Sequence, residues 1–122
     1  MSMYLYTNEG IFKYETPKEI SEHICRSSTL PMDEIFISTE TKYPYLSILV
    51  NGDHACIHYF ESEDGAMFQS LGNGKEGIVF LAAGEEWKAP ADTIVTLETA
   101  IKCMKEFFET MKRPKCIKWQ EL

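Results

Sequence analysis

Tyr45-Leu-Ser-Ile-Leu-Val50, Ala55-Cys-Ile-His-Tyr-Phe60, Ala66-Met-Phe-Gln-Ser70 and Ile78-Val-Phe-Leu-Ala82 are four short apolar segments in succession. Each is rich in β-branched or aromatic residues, and Gly, Asn or Asp parts each from the next. That is the pattern of an antiparallel meander. The first link, Asn51-Gly-Asp-His54, holds an Asn-Gly pair, which tolerates positive φ at successive positions and closes a hairpin with the correct twist. The second link, Glu61-Ser-Glu-Asp-Gly65, ends on glycine; the third, Leu71-Gly-Asn-Gly-Lys-Glu-Gly77, carries three glycines and reads as a flexible connection.

Outward from the meander, Tyr4-Leu-Tyr6 and Ile11-Phe-Lys-Tyr14 flank Thr7-Asn-Glu-Gly10 as a small N-terminal hairpin. Thr16-Pro-Lys-Glu19 then places Thr at an N-cap, Pro at the first helical position and Glu three residues after the cap, predicting a helix over 17–26. Ile20 and Ile24 give it an apolar stripe with Cys25 beside them, and His23 reads as a solvated side chain. Pro31 follows the Ser27-Ser-Thr29 break, and Glu34-Ile-Phe-Ile-Ser38 predicts a strand leading into the meander.

Beyond the meander, Ala83-Gly-Glu-Glu-Trp-Lys-Ala-Pro90 reads as an acidic loop containing a tryptophan. Thr96 is the N-cap of a second helix, in which Leu97, Ala100, Ile101, Met104, Phe107, Phe108 and Met111 recur at spacings of three and four. Lys112-Arg-Pro114 is the expected stop, and Cys116-Ile-Lys-Trp-Gln120 alternates as a final strand. The predicted fold class is α+β: a single domain over 1–122, with an antiparallel meander of five or six strands packed by an N-terminal helix and a C-terminal amphipathic helix.

Charge is unevenly spread over the 122 residues. Residues 1–100 hold 16 acidic and 6 basic side chains, a balance of −10, whereas residues 101–122 hold 3 acidic and 6 basic, a balance of +3. An acidic body repels nucleic acid and anionic lipid and suits either plain solubility or a basic partner. No apolar run approaches the roughly 20 residues needed to span a bilayer, and the first ten residues have no basic segment leading into an apolar one. A cytoplasmic protein is expected. Cys25, Cys56, Cys103 and Cys116 form no CxxC pair, so four reduced thiols are expected as well.

His54, Cys56 and His58 fall at i, i+2 and i+4, which on a strand puts them on one face. Three such ligands suit zinc in kind, but same-face neighbours on a strand lie about 7 Å apart, awkward for one small ion. A hairpin-edge His54, a core Cys56 and a half-buried His58 is the favoured reading, and no metal or other cofactor is expected. Cys56 and His58 also suggest a nucleophile pair, yet nothing beside them supplies an orienting third group. Glu61, Glu63 and Asp64 in one turn, and Glu85 and Glu86 beside Trp87 in another, are ordinarily solvated acid, and the residues alone favour that. The functional alternative is an aromatic anchor ringed by carboxylates, a patch that steers and holds a basic protein.

Tyr43-Pro-Tyr-Leu-Ser-Ile-Leu-Val50, the strand from Ala55 to Phe60, the Phe68 strand closing at Gly72, and Trp87-Lys-Ala-Pro90 carry a resemblance to a known family. The helix ending Phe107-Phe-Glu-Thr-Met-Lys-Arg-Pro114 and the terminal Ile117-Lys-Trp119 extend it. Over residues 40–122 the chain resembles the Imm1 family of bacterial immunity proteins of polymorphic and contact-dependent toxin systems; the N-terminal third is similar only in its helix-then-strand order. The resemblance implies a non-enzymatic protein that binds and neutralises a cognate toxin, a nuclease or deaminase, by stoichiometric inhibition. It carries over no catalytic residue. With it, Glu61, Glu63, Asp64, Glu85, Glu86 and Trp87 become the expected docking residues for a basic, nucleic-acid-directed toxin. A small-molecule or peptide-binding module, and a small enzyme using Cys56 and His58, are the alternatives.

Overall fold

The computed structural model describes residues 2–29 and 32–122; Pro31, expected after the first helix, lies outside them. Strands β1 (Met3–Thr7) and β2 (Gly10–Tyr14) pair as the expected hairpin and lead into helix α1 (Pro17–Ser27). The capping box forms as read: Glu19 N–H donates to Thr16 Oγ1 at 3.3 Å while Thr16 N–H donates to Glu19 Oε1 at 3.1 Å. Strands β3 (Asp33–Ser38), β4 (Tyr45–Asn51), β5 (His54–Phe60) and β6 (Met67–Leu71) follow, β3 antiparallel to β1 and each of the others antiparallel to the one before. The hairpin β7 (Ile78–Ala82) and β8 (Glu85–Ala89) comes next. A short 3₁₀ turn (Ala91–Thr93), β9 (Val95–Thr96), helix α2 (Leu97–Thr110) and β10 (Lys118–Glu121) complete the chain.

The α+β class stands, with a wider sheet than five or six strands. Its order is β10-β6-β5-β4-β3-β1-β2, and β9 adds an eighth strand against the start of β5. Both helices lie on one face. There Leu46, Ile48 and Val50 of β4 and Ala55, Ile57 and Tyr59 of β5 meet Ile20 and Ile24 of α1 and Ala100, Cys103, Met104, Phe107 and Phe108 of α2, forming the main core. The periodicity of α2 was therefore a reliable guide to burial. Its end comes earlier than the Lys112-Arg113-Pro114 stop: Met111 adopts a left-handed conformation at φ +57°, and its N–H donates to Phe107 O at 2.8 Å.

His23 is not solvated. It is 7 % exposed, with Nδ1 2.9 Å from the Tyr14 hydroxyl and its ring edge-on to Phe12 at 4.9 Å. The spacing of the buried residues Ile20, His23, Ile24 and Ser27 shows why: position 23 belongs to the apolar stripe, while Cys25 points out of it and is exposed. The four cysteines are all free thiols, and Cys103 Sγ stands 2.9 Å from Cys116 Sγ.

The meander holds for three strands and fails for the fourth. β7 leaves the large sheet, pairs only with β8, and folds back over the helix-free face. Leu49, Cys56, Phe80, Ala89 and Ile94 make a second, smaller core beneath it, with Trp87 packed at its margin. The linking glycines are not a loose tether. Gly72 N–H donates to Asp92 O at 2.7 Å, and a Cβ at Gly72 would overlap the carbonyl oxygen of Ile94. The segment expected as an acidic loop is strand β8. Its turn, Ala83-Gly84, has φ of +52° and +81°, the primed geometry of a two-residue hairpin. Ala83 carries that conformation with its N–H held by the Glu34 carboxylate at 3.0 and 3.1 Å. The β4–β5 turn is likewise shifted by one residue, to Gly52-Asp53, with φ +61° at Gly52. Asn51 instead ends β4 and sends its side-chain amide to Val79 O at 2.7 Å, tying the hairpin down.

Truncating Phe107, which is wholly buried in the main core, is expected to cost about 3–5 kcal/mol. Thr16→Ala is expected to cost about 1 kcal/mol through the lost cap. Urea unfolding of the two variants beside the parent measures both.

Candidate protein-binding site

Strand β5 presents His54, Cys56, His58 and Phe60 to the helix-free face, because its alternate residues Ala55, Ile57 and Tyr59 are in the main core. His54 is exposed at the hairpin; Cys56 is buried with Sγ 3.7 Å from Thr93 Oγ1; His58 is half-buried with Nε2 3.1 Å from Gln69 Nε2. Burial pushes the Cys56 thiol above its ordinary range and pushes His58 down to about 4. A thiol kept protonated and an imidazole kept neutral do not make an activated pair, and no hydrogen bond joins them among the described residues. Among those residues no group of three His, Cys, Asp or Glu side chains stands close enough to hold a metal ion. The three residues share a face, as their spacing required, but Cys56 and His58 have separate partners and His54 faces solvent.

Glu61, Glu63 and Asp64 are exposed in the turn that continues β5 beyond Phe60, closed by Glu61 N–H to Ala66 O and Gly65 N–H to Ser62 O, both at 3.3 Å. Glu85 and Glu86 are exposed at the start of β8. Trp87 is not a free anchor. It is half-buried opposite Phe80 with its ring 6.0 Å from His58, so it seals the second core. The two acidic groups flank elements that meet at Trp87 and His58, whose ring centroids are 6.0 Å apart: Glu85 and Glu86 precede Trp87 on β8, and Glu61 follows the end of β5, three residues after His58.

That surface was missed by a reading that committed every strand to packing. The hairpin covers only part of the helix-free face. Beyond its edge lie Tyr6, Phe36, Tyr45, Phe60 and Met67. Tyr45 stacks on Phe60 with ring centroids 4.4 Å apart and the planes 12° from parallel; Phe36 meets Tyr45 edge-on at 6.0 Å. Tyr6, Phe36, Ser38, Thr39, Lys42 and Tyr45 line a groove of about 430 Å³. Burial raises the Tyr45 phenol above its usual range, with the neighbouring Tyr43 and Glu34 adding to it. The signal was present in the sequence as the outward aromatics Tyr6, Phe36, Tyr45 and Phe60, one on each of β1, β3, β4 and β5, but periodicity says nothing about which of two faces is covered.

The immunity protein Imm1 family model matches residues 14–121. The chain belongs to the Imm1 family of immunity proteins. The match reaches back through α1 and β3, well beyond the 40–122 span over which the quoted motifs carry the resemblance. A double-stranded DNA deaminase immunity protein from Burkholderia cenocepacia (strain H111) is 27% identical over 125 residues, covering 98% of this chain and 100% of the relative. Among the described residues no helix of this Imm1 chain is long and apolar enough to cross a membrane.

Two outcomes are expected from the buried groups. Iodoacetamide alkylates Cys25 and Cys116, which are exposed, while Cys56 and Cys103, both buried with thiols pushed up chiefly by burial, are alkylated only in denaturant; peptide mass mapping reads the difference. Acid weakens the fold through its histidines. His58 is held neutral down to about 4, and His23 is lowered by burial and by Arg26. The unfolded chain therefore binds more protons as pH falls below 6.5, so their contribution is present above 6.5 and is lost as pH falls toward 4. For His58 the loss is at most on the order of 3 kcal/mol. Urea titrations at stepped pH should show a shallower decline in His58→Gln than in the parent.

Proposed function

We propose that this protein neutralises a cognate toxin, a nuclease or deaminase domain, by binding it stoichiometrically and blocking access of nucleic acid. Membership of an immunity-protein family and the relative's named role toward a DNA deaminase support the class. The observation that carries the mechanism is the exposed acid of Glu61, Glu63, Asp64, Glu85 and Glu86 on a chain of net charge −7. Toxins that act on nucleic acid need cationic clefts for phosphate, and an acidic protein surface competes for the same field. Association is then steered by charge: encounter is fast at low salt and slows as salt screens it. In this proposal the protein needs no cofactor or catalytic residue of its own, acts in the cytoplasm of the toxin-bearing cell, and belongs to a polymorphic, contact-dependent system. Glu61, Glu63, Asp64, Glu85 and Glu86 are the steering groups, and Trp87 holds β8 so that its carboxylates stand out from the sheet.

If a gene beside this one encodes a C-terminal nuclease or deaminase domain, that domain is the binding partner for the test. Reversing all five carboxylates to lysine is expected to weaken binding to that domain by about 10- to 100-fold, mostly through the association rate, and to flatten its salt dependence. Surface plasmon resonance at several salt concentrations measures this. Undiminished affinity in the five-lysine variant would remove these residues from the interface.

A further inference from the structure

We infer that the uncovered part of the helix-free sheet face is the surface on which the toxin seats, an aromatic centre within the acidic rim. This rests on the neutralisation reading above and adds to it where the contact energy lies. An antiparallel sheet with one solvated face ordinarily alternates apolar-in and polar-out. Here one outward position on each of six neighbouring strands is apolar: Ile11 of β2, Tyr6 of β1, Phe36 of β3, Tyr45 of β4, Phe60 of β5 and Met67 of β6. Register makes them contiguous. Ile11 stands opposite Tyr6, Tyr6 opposite Phe36, Tyr45 opposite Phe60, and Phe60 opposite Met67, while the Phe36 and Tyr45 rings close the remaining step at 6.0 Å. At the usual strand spacing, the band crosses about 24 Å of sheet.

The band is accessible as well as apolar. Ile11 is 67 %, Tyr6 41 % and Met67 36 % exposed. A contiguous apolar strip with aromatics at its centre and charge at its edge has the composition of a binding hot spot and its rim. Charge selects the occupant. Glu63 and Asp64 stand in the turn at the Phe60–Met67 end, Glu40 lines the groove at Tyr45 together with Lys42, and Glu34, Glu85 and Glu86 lie on the hairpin side, so carboxylates outnumber cations such as Lys42 and Lys13 around the band. Lys112, Arg113 and Lys115, which follow α2, lie on the other side of the sheet in a pocket they share with Glu61 and Phe68, and Arg113 stands 4.0 Å over the Phe68 ring. A second copy of this chain would bring two acidic rims of −7 proteins together, whereas a cationic protein meets both the rim and the band.

The test uses the full chain and a catalytically inactive form of the toxin domain encoded beside its gene. Ile11→Ser, Tyr6→Ser and Met67→Ser remove exposed side chains, and Val79→Ser removes one of similar exposure, 36 %, from the hairpin's outer side as a control. In calorimetric titrations the triple variant is expected to bind about 10- to 100-fold more weakly, with Val79→Ser equal to the parent. Hydroxyl-radical footprinting of the unmutated complex gives a second reading independent of any variant's folding: Tyr6 and Met67 become protected and Val79 does not. If the parent binds and the triple variant binds equally well, or Tyr6 and Met67 stay reactive in the complex, the face assignment falls while neutralisation stands. If the parent does not bind the toxin domain at all, the neutralisation reading falls and this occupant with it.

Discussion

The pleat of β4 and β5 sends Leu46, Ile48, Val50, Ala55 and Ile57 to one side of the sheet and Leu49 and Cys56 to the other, and both sides have to be taken out of water. One side is met by the two helices. The other needs a cover that the meander cannot supply from within its own plane, and the chain provides it by folding β7 and β8 back over the sheet. The devices holding that cover are local and specific: the Asn51 amide on Val79 O, the Glu34 carboxylate on Ala83 N–H, and glycines at 72 and 74 close enough to residues 91–94 that side chains would collide there. Phe80 is wholly buried as a result, and Trp87 closes the margin.

A hairpin of five-residue strands cannot cover eight strands of sheet. What it leaves open is where a binding protein has room to act. The uncovered aromatics stack on one another rather than on a second layer, so they are ordered before any partner arrives, and less side-chain entropy remains to be lost on association. Carboxylates in the adjoining turn and hairpin stay exposed to solvent, and in the proposed complex they steer while the strand faces make the dry contact. The titratable groups inside, Cys56 and His58, are kept uncharged by burial, which suits a scaffold rather than a reaction centre.

Much of this was legible residue by residue. The Thr16 capping box, the α2 stripe, the strand positions and the exposed acid at 61–64 and 85–86 are consequences of local geometry: a cap needs only its own turn, and a helix or strand period is set by the backbone. His23 was legible too, since its spacing from Ile20 and Ile24 places it on the buried stripe, though its polar type suggests solvent. The partnerships of β7, the packing of Trp87 and the strand character of 85–89 were not, because an apolar run with turn residues on either side has the same pattern whether it extends a sheet or folds over it.

Amino-acid order by itself determined the class of elements, their sequence and the segregation of charge, because those depend on neighbours a few residues away. Only the tertiary structure decided which of the sheet's two apolar faces is covered, and how far. That depends on contacts between positions such as Asn51 and Val79, or Glu34 and Ala83, 28 and 49 residues apart, whose meeting is set by the whole path of the chain. The same aromatic side chain on a strand is core beneath a helix and uncovered beyond the hairpin's edge; Tyr59 and Phe60, adjacent on β5, are one of each.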